Sequence, residues 1–457
     1  MNIVIIGAGS VGRYIAAMFA KKQYNVILVD KNGKKLQEAA WQMDAATRQG
    51  SGTDLKLLED LLEFSPDLFI ALTNDDESNL VACSIAKNLG YPKTIARVKD
   101  HRYLNRKRLD FGRMFNVDYF VGPELLAAYE INKYLMDPGS LAMESFAHGA
   151  VQLRSIIIPN SWKNAEKRLA DLSLPTGLLV VLIQRQIQQQ QPYSSSITRK
   201  VIFPHGNDHI LPGDEVTIIG EAASMANCYE FFGISTKKIE SVAIVGGSLT
   251  GYNLAKILEQ QGIRVLLIEQ DEEKCHILAE QLPKCSIVNH DGTDLDFLIA
   301  ERIGSSDAFV ACTRHDEVNF LAALAAKEAG CKTVVLQLAN TDYTPLTNQL
   351  GISFVVSPRI SAANRILSLA HSGRLTSVVS LSSGEAEIME INVSMNSKVV
   401  GIPISQLGAL LPKDFLIAMI QNRGRIMIAH GNRIISPGDT VIVVSNPKHM
   451  HELEKIF

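Results

Sequence analysis

Two glycine-rich turns carry the residue types and spacing for ligand chemistry. The first, Gly7-Ala8-Gly9-Ser10-Val11-Gly12, follows the apolar run Ile3 to Ile6 and opens a helical pattern. Asp30 closes the next apolar run, Val26 to Val29, about 20 residues on, as a dinucleotide fingerprint requires. In that reading Gly7 permits the tight turn out of the strand. Gly9, with no Cβ, lets the backbone approach a pyrophosphate, and Gly12 lets the helix pack close to the sheet. The helix N-terminus presents unpaired N–H groups and a partial positive charge to phosphate. Asp30 accepts hydrogen bonds from ribose hydroxyls and repels a 2′-phosphate, which favours NAD or NADH over the phosphorylated cofactor. Other candidates lie at further strand ends, where open α/β sheets bind ligands. Thr73 and Asn74 end the fourth strand of the pattern. Arg97 ends the fifth, Thr94-Ile95-Ala96-Arg97, and its planar cationic fork suits phosphate. Asp75, Asp76 and Glu77 read as the acidic first turn of a helix in preference to a cation site.

The second turn, Gly246-Gly247-Ser248-Leu249-Thr250-Gly251, follows Ile244-Val245 and is weaker. Ser248 stands where the first turn has the glycine nearest the pyrophosphate. Glu269 takes the place of Asp30 and keeps the ribose function, and Thr313 takes that of Thr73. Arg314 and His315 replace Asn74 and Asp75, and Gln337 replaces Arg97. The alternative for this turn is a structural copy kept for assembly.

The elements that position these residues occur twice. Gly52-Thr53-Asp54 returns as Gly292-Thr293-Asp294, Asn79 as Asn319, and Val121-Gly122-Pro123 as Val356-Ser357-Pro358. His205-Gly206-Asn207 followed by Pro212-Gly213-Asp214 returns as His430-Gly431-Asn432 followed by Pro437-Gly438-Asp439. The chain is an internal duplication of a two-part unit. In the first part, β-branched apolar runs alternate with amphipathic stretches such as Arg13 to Lys22 and Ser78 to Leu89, which implies βαβ units and a parallel sheet. The second part is shorter and rich in strands, with strands expected at Leu178 to Gln184, Lys200 to Phe203 and Glu215 to Gly220. The fold class is α/β: duplicated doubly wound Rossmann units, each followed by a small α+β module. Expected domains are 1–135, 140–230, 239–372 and 376–457, with a linker at Ser235-Thr236-Lys237-Lys238. The polar stretch from Gln184 to Ser196 reads as an exposed hairpin loop.

Composition narrows the function. Of the 457 residues, 46% are hydrophobic and 20% charged, which fits a globular protein with sizeable cores. A net charge of −3 supplies no basic field for nucleic acid or an anionic membrane. No apolar stretch reaches the roughly 18 residues of a membrane span, and the N-terminus has no signal-peptide pattern. The six scattered cysteines read as reduced thiols, and His449-Met450-His451 reads as solvated rather than as a metal site. A dehydrogenase needs a proton donor or acceptor beside the nicotinamide. No compact His-Asp or Lys-Tyr pair is placed for that, and His205 and His430 sit at hairpin positions. No loop for ATP hydrolysis is present. No catalytic residue is therefore assigned, and duplicated binding units without attached chemistry suggest sensing. The rival readings are an NAD-dependent oxidoreductase and a soluble nucleotide-sensing regulator. The basic residues from Lys99 to Arg113, including Arg102, Arg106, Lys107, Arg108 and Arg113, read as a solvated helix or a membrane-partner interface, not as DNA contacts.

The duplicated architecture resembles the TrkA-type family of tandem RCK or KTN domains. The run Ile70-Ala71-Leu72-Thr73-Asn74-Asp75-Asp76-Glu77-Ser78-Asn79 is similar to that family's AVTNDDETN stretch, and Ile95-Ala96-Arg97 is similar to its IAR strand. The resemblance covers essentially the whole chain. It implies a non-enzymatic cytosolic regulator, peripheral on the inner face of the cell membrane, beneath a potassium channel subunit of the TrkH or TrkG type. It implies self-association into a ring, as homodimer or homotetramer, and NAD or NADH, with ATP or ADP, in the fingerprint pockets. Carried over by position, the contacts are Gly7 to Gly12, Asp30, Thr73, Asn74 and Arg97, then Gly246 to Gly251, Glu269 and Thr313. The helices from Pro123 to Leu135 and Pro358 to Ala370 would pass between Rossmann units, with apolar faces at Leu126, Tyr129 and Leu135 and at Ile366, Leu367 and Ala370.

Overall fold

The apolar runs become buried parallel strands joined by helices that cover both sheet faces. The computed structural model describes residues 1–457 except 105–108, 138–141, 192–193, 235–237, 341–342, 371–374, 382–385, 413, 450–451 and 454–455. The first half runs β1 (Asn2–Ile6), α1 (Ser10–Lys21), β2 (Asn25–Asp30), α2 (Gly33–Gln42), β3 (Ala46–Gln49), α3 (Leu55–Leu61), β4 (Leu68–Ala71), α4 (Asp76–Asn88), β5 (Thr94–Arg97), α5 (Phe111–Phe115), β6 (Tyr119–Val121) and α6 (Pro123–Met136). Its strands order as β3-β2-β1-β4-β5-β6, all parallel. The order reverses between β1 and β4, which opens a crevice at their C-terminal ends. Val4, Ile6, Phe69, Ala71 and Ala96 pack with Leu80, Cys83 and Ala86 of α4 in one core cluster, so the strand ends that meet the crevice are rigidly held.

An antiparallel module follows: β7 (Ala142–Phe146), β8 (Val151–Ile157), β9 (Leu178–Gln191), β10 (Ser194–Ile202), β11 (Glu215–Glu221) and α7 (Ala226–Phe232). The second half repeats the first as β12 (Ser241–Val245), α8 (Leu249–Gln260), β13 (Arg264–Glu269), α9 (Glu272–Gln281), β14 (Ser286–Asn289), α10 (Leu295–Ala300), β15 (Ala308–Ala311), α11 (Asp316–Glu328), β16 (Val334–Gln337), α12 (Thr344–Gln349), β17 (Phe354–Val356) and α13 (Pro358–Ala370). Its sheet, β14-β13-β12-β15-β16-β17, has the same order as the first. The closing module holds β18 (Leu375–Leu381), β19 (Ala386–Asn392), β20 (Phe415–Asn422), β21 (Arg425–Ile428) and β22 (Thr440–Ser445). The duplicated Rossmann fold class is thus present, strand for strand.

The chain forms two compact units, one of residues 1–132 with 239–366 and one of 133–238 with 367–457. Like therefore packs with like. In the second unit the two modules share a core, in which Phe146, Leu153, Val181 and Leu182 meet Ile388, Met419, Ile442 and Val444.

The polar stretch after Gln184 and the basic stretch after Lys99 depart from expectation. The polar stretch from Gln184 to Ser196 is not a loop. β9 continues to Gln191 and pairs in register with β10, from Ile183↔Ile202 to Gln191↔Ser194. A strand pair is held by its backbone ladder, which does not require apolar side chains. Gln184 is in fact buried, and Arg185 is bonded to Asp214 by a two-pronged ion pair at 2.7 and 2.9 Å. α6 keeps an apolar face, with Ala127, Ala128, Ile131, Tyr134 and Leu135 buried and Tyr129 half exposed. On α13, Ile366, Leu367 and Ala370 are buried. The basic stretch is broken into the turn His101–Leu104 and the short α5, not one helix, and Arg106, Lys107 and Arg108 lie outside the described residues. Most of the expected linker and His451 also lie outside them.

Candidate functional site

The first cleft lies at the C-terminal ends of β1, β2, β4 and β5 and encloses about 300 Å3. Gly7 turns the chain there at φ +105°, a conformation that L side chains rarely adopt, and a Cβ would press on the Leu72 carbonyl at 3.0 Å. A Cβ on Gly12 would stand 1.9 Å from the Gly7 carbonyl oxygen, so α1 packs too closely against the turn for any other residue. Gly9 differs, because a Cβ there would meet nothing within 4 Å. The protein itself does not need a glycine at position 9; the open space faces the cleft. Gly9 is also the N-cap of α1, and no side chain caps this helix. Its first N–H groups and the positive end of its dipole are thus left for an anion.

Asp30 is tied to the turn. Its Oδ2 accepts the Ala8 N–H at 2.7 Å and its Oδ1 the Asn32 N–H at 2.8 Å. Each carboxylate oxygen keeps a lone pair for a ligand hydroxyl. Across the cleft, Thr73 is locked by the fully buried Asn79. The Asn79 Oδ1 accepts the Thr73 N–H at 2.9 Å and hydroxyl at 2.7 Å, and its Nδ2 donates to the carbonyls of Thr73 and Arg97 at 3.1 and 3.0 Å. One amide thereby joins the ends of β4 and β5 to α4. Asp75 caps α4 by accepting the Ser78 N–H at 3.0 Å, and hydrogen bonds from Ser78 hold its carboxyl below the usual range. Asp76 accepts the N–H groups of Lys99 and Asp100. The acidic run is a helix start, as expected.

Arg97 lines the cleft but is engaged. Its Nη2 donates to Glu124 Oε1 at 2.7 Å and its Nη1 to Asn74 Oδ1 at 3.2 Å. Its buried Nε and the other Glu124 oxygen have no partner among the described residues. The sequence reading did not foresee Glu124.

Gly7, Gly9, Ser10, Val11, Asp30, Thr73, Asn74 and Arg97 all line this cleft, while Ala8 and Gly12 lie behind it. Sequence reasoning missed Lys31, Lys35 and the loop Ser51 to Thr53, which also line it. The repeated Gly-Thr-Asp was the available signal. A Cβ on Gly52 would stand 2.3 Å from Ile6 Cγ2, and one on Gly292 would stand 2.3 Å from Val245 Cγ1. Asp54 and Asp294 then cap α3 and α10. The glycine brings that loop onto the first strand, and the aspartate starts the helix behind it.

The second cleft, of about 340 Å3, is lined by Gly246, Gly247, Ser248, Glu269 and Thr313 among others, with Leu249, Thr250 and Gly251 behind. Gly246 turns at φ +104°. Glu269 accepts the Gly247 and Asp271 N–H groups at 2.8 and 3.0 Å, as Asp30 does in the first half. Asn319 repeats the Asn79 lock on Thr313 and Gln337. His205 and His430 lie exposed in turns of the two modules, far in sequence from either fingerprint.

Comparison with known proteins points one way. The TrkA-N domain family matches residues 3–116 and 242–358, and the TrkA-C domain family matches 388–457. A Trk system potassium uptake protein TrkA homolog 1 of Methanosarcina mazei is 32% identical over the full length of both chains. The Trk system potassium uptake protein TrkA of Haemophilus influenzae is 31% identical, over 100% of this chain and 98% of its own. Among solved structures, the GsuK channel bound to NAD superposes with a TM-score of 0.62 at 19% identity, covering 100% of this chain and 78% of that one. The GsuK RCK domain gives 0.62 at 18%, covering 100% and 94%. At such identities the structural likeness is one of fold.

Proposed function

Because the chain belongs to the TrkA family of Trk potassium uptake proteins, we propose that it is a nucleotide-sensing regulatory subunit that gates a membrane potassium channel subunit of the TrkH or TrkG type. It is a regulator of this family rather than an enzyme. Among the described residues no helix is long and apolar enough to cross a membrane, and in this reading the protein works at the cytosolic face as part of a ring, a homodimer or homotetramer.

One observation carries the nucleotide reading: the uncapped N-terminus of α1 opens onto a cleft that Asp30 also lines. The free N–H groups suit a diphosphate, and Asp30 suits ribose hydroxyls. NAD, NADH, ATP and ADP share adenosine and a diphosphate, so one pocket accepts any of them. The fold neighbours fit this reading, since GsuK structures carry the names of NAD and ADP. Gly7, Gly9, Ser10, Val11, Asp30, Thr73, Asn74 and Arg97 are the proposed contacts in the first half. In the second half they are Gly246, Gly247, Ser248, Glu269 and Thr313.

The signal leaves the pocket through Arg97. A phosphate in the cleft competes with Glu124 for the guanidinium. Glu124 lies at the start of α6, and Asp137, just past its other end, is held by Arg154 at 3.0 Å and by the Tyr229 hydroxyl. Loosening one end of α6 strains what the other end holds. Moving a gate from mostly closed to mostly open takes about 5 kcal/mol of differential binding, which several sites share. The test is calorimetric titration of the purified protein with NADH, NAD, ATP and ADP. Saturable binding of at least one is expected, and no binding of any would overturn the reading.

A further inference from the structure

The helix that faces the phosphate position is open in one half of the chain and closed in the other. Both N-cap residues have nearly the same backbone, with φ and ψ of −72° and −178° at Gly9 and of −68° and 171° at Ser248. At Ser248, however, the hydroxyl is used twice. Its oxygen accepts the Gly251 N–H at 3.2 Å, and its proton goes to the Cys312 carbonyl at 2.5 Å. The cap thus satisfies one of the free N–H groups of the helix N-terminus and places an oxygen, itself electron-rich, at the mouth of the helix.

A second loss occurs at the end of β16, the counterpart of β5. Where Arg97 stands in the first half, Gln337 is neutral, and it donates to the Thr313 carbonyl at 3.3 Å. The lining Lys274 is occupied, with its ammonium 3.3 Å from Asp271 and 3.9 Å from Glu269. Arg314 and His315 are exposed at the rim, where solvent screens their charge. The nucleoside end is intact, because Glu269 braces Gly247 as Asp30 braces Ala8.

We propose that Ser248 sets the ligand preference of the second pocket: it keeps the nucleoside end but withholds the grip on a diphosphate, so each chain carries one tight and one weak site for adenosine diphosphate ligands. This rests on the nucleotide reading above and deepens it.

The test counts sites by calorimetry with ADP, and with adenosine as a probe of the nucleoside end alone, on the full-length protein. Wild type should show one tight ADP site per chain. Ser248→Gly should tighten the second site about ten-fold, the scale of one hydrogen bond to a charged group, while adenosine affinity stays within about two-fold. Retained binding at the first site shows that this variant is folded. The reciprocal Gly9→Ser should weaken ADP binding at the first site by a similar factor, and Arg97 should keep it tighter than the second site. Two equal ADP sites in wild type, or a Ser248→Gly protein with unchanged ADP binding, would overturn the proposal. If wild type binds no nucleotide at all, the functional reading fails on its own. The role of Ser248 then stands if Ser248→Gly creates an ADP site and falls if it does not.

Discussion

Asp30 serves two partners from one side chain. Its carboxylate pins the glycine turn through the Ala8 N–H and offers its remaining lone pairs to the cleft. Asp30→Ala should therefore weaken NADH binding about ten- to a hundred-fold, the scale of a charged hydrogen bond, and leave the protein folded. Calorimetry beside circular dichroism checks this, and unchanged affinity would remove Asp30 from the ribose position. Asn79 acts on stability instead. Asn79→Ala strips the Thr73 N–H and two carbonyls of their buried partner and should cost about 2 kcal/mol or more, read as an earlier urea midpoint. The repeated Asn-Thr pairing was visible in the sequence as a recurrence, but not as a lock. Nothing local says that an amide six residues past Thr73 also reaches the carbonyl of Arg97 on another strand.

Elements carry the second kind of constraint, close approach. α1 lies against the Gly7 carbonyl with no room for a methyl group at Gly12. Gly12→Ala must push the helix off the turn, at about 1–3 kcal/mol for overpacking, and should abolish nucleotide binding measured by calorimetry. The start of α6 is governed by charge. Glu124→Gln leaves the buried Arg97 without its counter-charge, which is destabilising. Its melting temperature should fall without ligand, and saturating ADP should restore more of it than in wild type, since phosphate then replaces the missing anion. An equal ADP-induced rise in both proteins would show that Arg97 does not contact the ligand.

For the whole molecule the consequence of duplication is shared cores. Residues of the closing module complete the core of the first module. A chain ending at 372 would expose Leu153, Val181, Leu182 and Phe146, and should aggregate, as seen by sedimentation. A monodisperse truncated chain would show that the first module closes its own core.

The sequence by itself determined the elements and their order, because those signals are local. A glycine that must turn at positive φ, β-branched runs of strand length and aspartates that start helices act within a few residues, and the duplication printed each twice. Tertiary structure decided the rest, because it depends on what lies beside a residue after the chain has returned. The polar stretch after Gln184 reads as a loop until the backbone of the returning strand pairs with it. Arg97 reads as a free phosphate ligand until α6 brings Glu124 to 2.7 Å. Ser248 reads as a glycine lost until its hydroxyl is seen between the Gly251 N–H and the Cys312 carbonyl, a carbonyl supplied by a strand end 64 residues away.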